Sequence, residues 1–225
     1  MRTPVAIRIA AIGAGLFLVV GLATPAGASH AKLTPSQLKA LTNKVNSSKK
    51  LSFEAVYKSV GLGNDATVTI AQAPPKSLFS TSSGVVVDTG TKNYYCSVSG
   101  STDQCLAAGT SNPFIGIEDI FSPAAALAAF SEAKEGLVDR ALGIKLSQSS
   151  ATIAGQASIC VTVTVKGKND KYCVTKQGVL AYSGSGGQYF ELTKFVKSPP
   201  SSLFQLPAGA TTETLPGGAS IPDIP

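Results

Sequence analysis

The sequence predicts an α+β domain made mostly of short antiparallel strands, with one helix at its start and a second in its middle. Three observations predict it. Apolar and polar residues alternate with a period of two through most of residues 51–107 and 144–196, the pattern of half-buried strands. The runs so marked are separated by short clusters of turn residues, and such short connections join antiparallel neighbours. Charged residues make up only 14% of the chain while Ser, Thr, Gly and Val are abundant, a balance that favours strands and turns over helix bundles.

Residues 1–28 read as a secretory signal. Arg2 and Arg8 give a positive start, Ile9 to Leu22 an apolar stretch, and Ala26-Gly27-Ala28 the small residues a signal peptidase reads, so cleavage is expected before Ser29. A retained anchor is the alternative, because no charge lies between Arg8 and Lys32; Pro25, Gly27 and the Ala-x-Ala site favour cleavage. No cysteine follows the apolar stretch, so a lipoprotein-type acylation site is not expected there. Cleavage leaves about 197 residues, one domain's worth, and lowers the net charge from +6 to about +4. The lysines are spread along the chain. That excludes a nucleic-acid footprint and leaves weak attraction to anionic surfaces.

Thr34 caps the first helix with Pro35 at its first position, and Leu38, Leu41 and Val45 give it an apolar stripe that ends near 46–50. Strands follow at 51–58, 66–71, 77–81, 85–88, 92–98 and 103–107, the second stopped by Pro74-Pro75. Ser122-Pro123 opens the central helix, where Leu127, Phe130 and Leu137 recur at helical spacing and Glu132, Lys134 and Glu135 mark the wet side. Five more strands are expected at 144–153, 158–166, 171–175, 179–183 and 188–196, which makes eleven. Leu203 to Pro207 reads as a last docking segment, and 211–225, rich in Pro, Gly and Thr without a period, as a loose tail. The domain is thus assigned to 29–210.

All four cysteines, Cys96, Cys105, Cys160 and Cys173, lie beyond the signal, and an even count in an exported chain implies disulfides. Three connectivities are possible. The local one has geometry behind it: Gly100-Ser101 suits a two-residue hairpin turn, and counting outward sets Ser97 opposite Gln104 and Cys96 opposite Cys105, on the rung where facing residues sit closest. Cys160 and Cys173 flank a second turn cluster at 166–170. Four isolated cysteines without CxxC spacing and one histidine make a poor metal site, so no metal and no cofactor are expected.

Several catalytic patterns are nearly present. Val85 to Gly90 matches the apolar-run-Asp-Thr-Gly of aspartic proteases, but that chemistry needs two carboxylates sharing a proton and no second copy occurs; a hairpin turn is the simpler reading. Gly61 to Ala66 imitates a dinucleotide fingerprint yet runs into a strand, where the mechanism needs a helix N-terminus. Ser-x-x-Lys occurs at 36–39, 47–50 and 131–134 without an accompanying Lys-Thr-Gly, and His30, next to the expected new N-terminus, is a poor member of a triad. No enzyme is expected.

Taken in order, Phe53 to Tyr57 after the first helix, Gln72-Ala73-Pro74-Pro75 with Phe79, Val87 to Gly90 before Tyr94-Tyr95-Cys96, the central helical stretch, Tyr172 to Thr175 with Gly178-Val179-Leu180, and Leu203 to Ala210 resemble the bacterial lipoprotein-carrier superfamily, LolA-like, and its actinobacterial relatives of the LppX/LprG type. The resemblance spans roughly residues 34–210. It implies a half-open antiparallel β-barrel of about eleven strands with helices across the concave face, and an apolar cavity that holds acyl chains or lipid-modified proteins. The chain departs from the family's lipoprotein members in lacking their acylated cysteine. The family supplies no catalytic residue. In this light the one-face apolar residues Phe53, Tyr57, Val68, Ile70, Phe79, Val85, Val87, Val161, Val163, Leu180, Tyr182, Phe190 and Leu192, with Leu127, Phe130 and Leu137 on the central helix, are candidate ligand-lining residues; a packed core is the plainer use of the same pattern. The expected partner is a lipid or other hydrophobic ligand, with a membrane surface or an envelope protein as further possibilities. A protein-interaction or sensor domain on the same fold is the competing function.

Overall fold

The structure, a computed structural model, describes residues 31–61, 66–97, 104–108, 127–128, 131 and 143–214. Residues 1–30, with the expected signal and His30, lie outside them, as does most of the expected central helix; Leu127, Ala128 and Ser131 are helical.

Helix α1 spans Pro35–Ser48 and starts where its cap chemistry dictates. Thr34 Oγ1 accepts from the Gln37 N–H at 3.3 Å, and Gln37 Oε1 accepts from the Thr34 N–H at 2.8 Å, so two otherwise orphaned donors are satisfied reciprocally. Leu38, Leu41 and Val45, one turn apart, are its buried side chains.

The strands are β1 (Ala31–Lys32), β2 (Phe53–Val60), β3 (Ala66–Ala73), β4 (Lys76–Ser80), β5 (Gly84–Asp88), β6 (Asn93–Ser97), β7 (Gln104–Ala108), β8 (Lys145–Ile153), β9 (Gln156–Val165), β10 (Lys168–Thr175), β11 (Leu180–Ser185), β12 (Gln188–Val196) and β13 (Thr211–Thr214). They form one sheet in the order β1-β8-β9-β10-β11-β12-β2-β3-β4-β5-β6-β7-β13. All pairings are antiparallel except β13 with β7. The architecture is the open, half-barrel kind: β1 and β13 end the sheet and do not pair with each other.

The eleven expected strands are all present, with ends moved by a few residues. Two more were not legible. Ala31–Lys32 adds to the edge of β8. Thr211–Thr214, read above as the start of a loose tail, instead pairs in parallel with Gln104 to Ala107 of β7. Main-chain hydrogen bonds to a free sheet edge need no apolar period, which is why the pattern gave no sign of this strand.

Both disulfides are the local ones. Cys96 faces Cys105 and Cys160 faces Cys173, with Cα separations of 4.0 and 3.9 Å, and Ser97 faces Gln104 as the turn count requires. No cysteine is free. Paired cysteines of this kind persist in oxidising compartments outside the cytoplasm, which sets the location of the domain at that level.

The Asp88-Thr89-Gly90 segment is the β5–β6 turn: Asp88 Oδ1 accepts from the Gly90 N–H at 2.7 Å, and the Thr89 N–H donates to Lys92 O at 3.0 Å. Between β10 and β11 the chain passes beneath the end of α1 at Gly178 (φ +88°). A Cβ there would collide with the Lys44 carbonyl oxygen, so only glycine lets helix and turn approach this closely.

Candidate functional site

Residues directly opposed in antiparallel strands project to the same side of a sheet. Following the pairings from strand to strand divides the side chains between two faces. The face that carries α1, the helix face, holds Val161, Val163 and Val174 on β9 and β10. These side chains are 0–2% exposed and cluster with Leu33, Leu38, Leu41, Val45 and Leu127. At roughly 1.5–3 kcal/mol per fully buried large aliphatic side chain, this cluster fixes α1 to the β8–β10 half.

On the other half of the same face, one row of side chains crosses seven strands: Phe195, Ala55, Ile70, Phe79, Val86, Tyr95 and Leu106, each opposite the next. Beside it, Leu192, Tyr57 and Val68 form a shorter apolar row. Phe53, Ala55, Tyr57, Val68, Leu180 and Leu192 are buried together, whereas Ile70, Phe79, Phe190 and Phe195 pack at the margin of that cluster and are only half-buried. Phe53 and Phe195 stack at 5.9 Å between ring centroids. Tyr57 is the polar exception. Its Oη donates to the Leu180 carbonyl at 3.0 Å, and complete burial pushes the phenol well above its ordinary value because the phenolate would be desolvated.

The structure therefore brings together Phe53, Tyr57, Val68, Ile70, Phe79, Val161, Val163, Leu180, Phe190 and Leu192 on one face. It separates three of the expected residues from them. Val85 and Val87 project from the opposite face, and Val86 takes the place expected of them. Three consecutive valines carry no phase, so alternation alone could not choose. Val85 instead borders a small second core, Ala71, Leu78 and Phe204, beneath the short 3-10 helix Ser201–Phe204, and this is the docking segment the sequence foresaw. Tyr182 is also on the opposite face, where it stacks on Tyr189 at 5.7 Å with Lys171 Nζ 5.6 Å from its ring. The pairing of β10 with β11 shifts between Cys173 and Val174, leaving Ala181 as an extra residue that inverts the alternation after Leu180. Leu127 is 1% exposed against α1, a core position; Phe130 and Leu137 lie outside the described residues.

Val86, Tyr95, Leu106 and Phe195 were missed, and they complete the long row. Their signal was in the register and not in the composition: once Phe79 is on the helix face, Val86 opposite it must be too. Among the described residues no group of three or more His, Cys, Asp or Glu is placed to hold a metal.

No family model matches the chain, and no curated protein does. Solved structures similar to it include MucB (TM-score 0.43, 13% identity, over 77% of this chain and 64% of that one) and MucB in the Pseudomonas aeruginosa MucA/MucB complex (0.44, 13%, over 79% and 64%). An uncharacterized conserved protein from Thermus thermophilus is also similar (0.46, 8%, over 79% of this chain and 98% of that one). The chain spans less than two thirds of the length of the MucB chains. At these TM-scores and identities the likenesses are distant, and the architecture rests on the strand pairing itself.

Proposed function

We propose that the protein is an extracytoplasmic binding protein that holds acyl chains, or a ligand of similar apolar character, against the β2–β7 half of the helix face. The observation that carries this reading is the uneven burial of one continuous apolar face. Where α1 lies along it, the valines are sealed; beyond α1, whose last residue meets Gln72 of β3, a row of aromatic and branched side chains crosses seven strands with several members half-buried. An apolar concavity with few polar groups is the physical form of a lipid site.

The test begins with native mass spectrometry and organic extraction of the purified protein, to see whether lipid travels with it. A fluorescent fatty-acid methyl ester is then titrated into wild type and Phe79→Asp. Saturable binding is expected for wild type, with a loss of at least about tenfold in the variant, because a carboxylate against an acyl chain is left buried and unpaired. Circular dichroism should be preserved. Absence of saturable binding to wild type would reject the lipid reading.

A further inference from the structure

Next to the long apolar row on the helix face runs a polar one. Gln72 faces Ser77, Ser77 faces Asp88, and Asp88 faces Asn93, so these four side chains form a strip across β3–β6 bordering Ile70, Phe79, Val86 and Tyr95. Asn93 is 8% exposed, and its Oδ1 is the one buried side-chain oxygen or nitrogen among the described residues that has no hydrogen-bond partner. A buried acceptor left without a donor is costly, and the great majority of such groups are satisfied. The rest of the strip does not supply the donor: its one hydroxyl, Ser77, lies two strands from Asn93, with Asp88 between them. Gln72 commits Nε2 to Ser48 O at 2.7 Å and Leu51 O at 2.6 Å, and Asp88 offers only acceptors, one of them already holding the Gly90 N–H. No lysine or arginine belongs to the strip.

We infer that this strip is the headgroup end of the binding face, and that the ligand's head donates hydrogen bonds to it. The chemistry fits a neutral, hydroxyl-bearing head of the acylglycerol kind, whose hydroxyl would satisfy Asn93 Oδ1 while the chain lies along Ile70, Phe79 and Val86. A phosphate head is disfavoured: it would bring acceptors and negative charge to a strip that already has Asp88 and no cation. The inference rests on the acyl-chain reading above and narrows it to a ligand class.

The experiment is displacement of the fluorescent methyl ester by three ligands sharing one chain: monopalmitoylglycerol, methyl palmitate and hexadecyl phosphate. Wild type should bind monopalmitoylglycerol at least about tenfold more tightly than methyl palmitate, and hexadecyl phosphate no more tightly than the ester. Asn93→Leu, which removes the acceptor at similar size, should bring the two neutral ligands within about threefold of each other, with monopalmitoylglycerol the one that weakens. Asp88→Asn, which keeps the oxygen that holds the Gly90 N–H, should improve hexadecyl phosphate several-fold and serves if Asn93→Leu does not fold. Equal binding of the two neutral ligands to wild type would overturn the headgroup assignment and leave the acyl reading standing. An unchanged preference in Asn93→Leu, or unchanged phosphate binding in Asp88→Asn, would overturn it as well. Failure of the fluorescent ester itself to bind would sink the acyl reading instead.

Discussion

Tyr57 joins two chemical demands in one side chain. Its ring lies in the main core at 2% exposure, and its hydroxyl reaches across β12 to the Leu180 carbonyl. Replacing it with phenylalanine should cost about 1 kcal/mol, the usual net value of one such hydrogen bond, as read from denaturant midpoints. The phenol also ties stability to alkaline pH. Burial raises its folded value above the ordinary 10.0, so the folded state keeps a proton that the unfolded state gives up. This contribution is complete below pH 10.0 and is lost as pH climbs above it. Tyr172 shifts the same way, through desolvation and then the nearby Asp170 carboxylate. Stability should fall above that pH, and Tyr57→Phe should flatten the fall; identical pH profiles for variant and wild type would contradict the assignment. Gly178 makes a different demand. Alanine there combines a left-handed backbone with a collision against Lys44 O, so Gly178→Ala should destabilise by more than about 1 kcal/mol. Thermal denaturation checks it, and a neutral effect would mean that α1 sits less tightly on the turn than described.

Among the elements, the two disulfide hairpins and α1 were the most legible. Their signals are local: a cap residue with proline behind it, a two-residue turn, a count of rungs outward to a cysteine pair. What could not be read was phase. The valine run at 85–87 and the extra residue at Ala181 each hide which side of the sheet a side chain faces, and the three residues found on the other face, Val85, Val87 and Tyr182, come from these two places. Asn93 escaped notice for a related reason, since a single polar residue at a strand start looks like a turn until the rows on either side of it are known. The hairpins also carry a measurable load. Each closes a short loop, with cysteines 9 and 13 residues apart, and a bridge of this size stabilises by about 2–3 kcal/mol. Replacing Cys160 and Cys173 by alanine together should lower stability by about that amount. Because all four cysteines are at most 1% exposed, reductant should act on the native protein only as fast as it opens. Rapid reduction without denaturant would show that the bridges are reachable from the surface.

At the scale of the whole molecule, the sheet is two runs of sequential hairpins, β2–β7 and β8–β12, joined where β12 lies beside β2. Alternation gave each run but not the joint, because a contact between residues some 140 positions apart leaves no mark on local periodicity. Along that joint Lys194 Nζ meets Glu54 Oε1 at 2.7 Å, and Phe195 stacks on Phe53. The joint also sets a schedule. A chain that emerges amino end first can complete β2–β7 early, yet β2 then stands as an open edge, its N–H and C=O groups unpaired, until residues 188–196 arrive. Until then the growing apolar row has no closed sheet behind it. Synthesis and export must therefore either hold the first run extended or outpace its encounters with other chains.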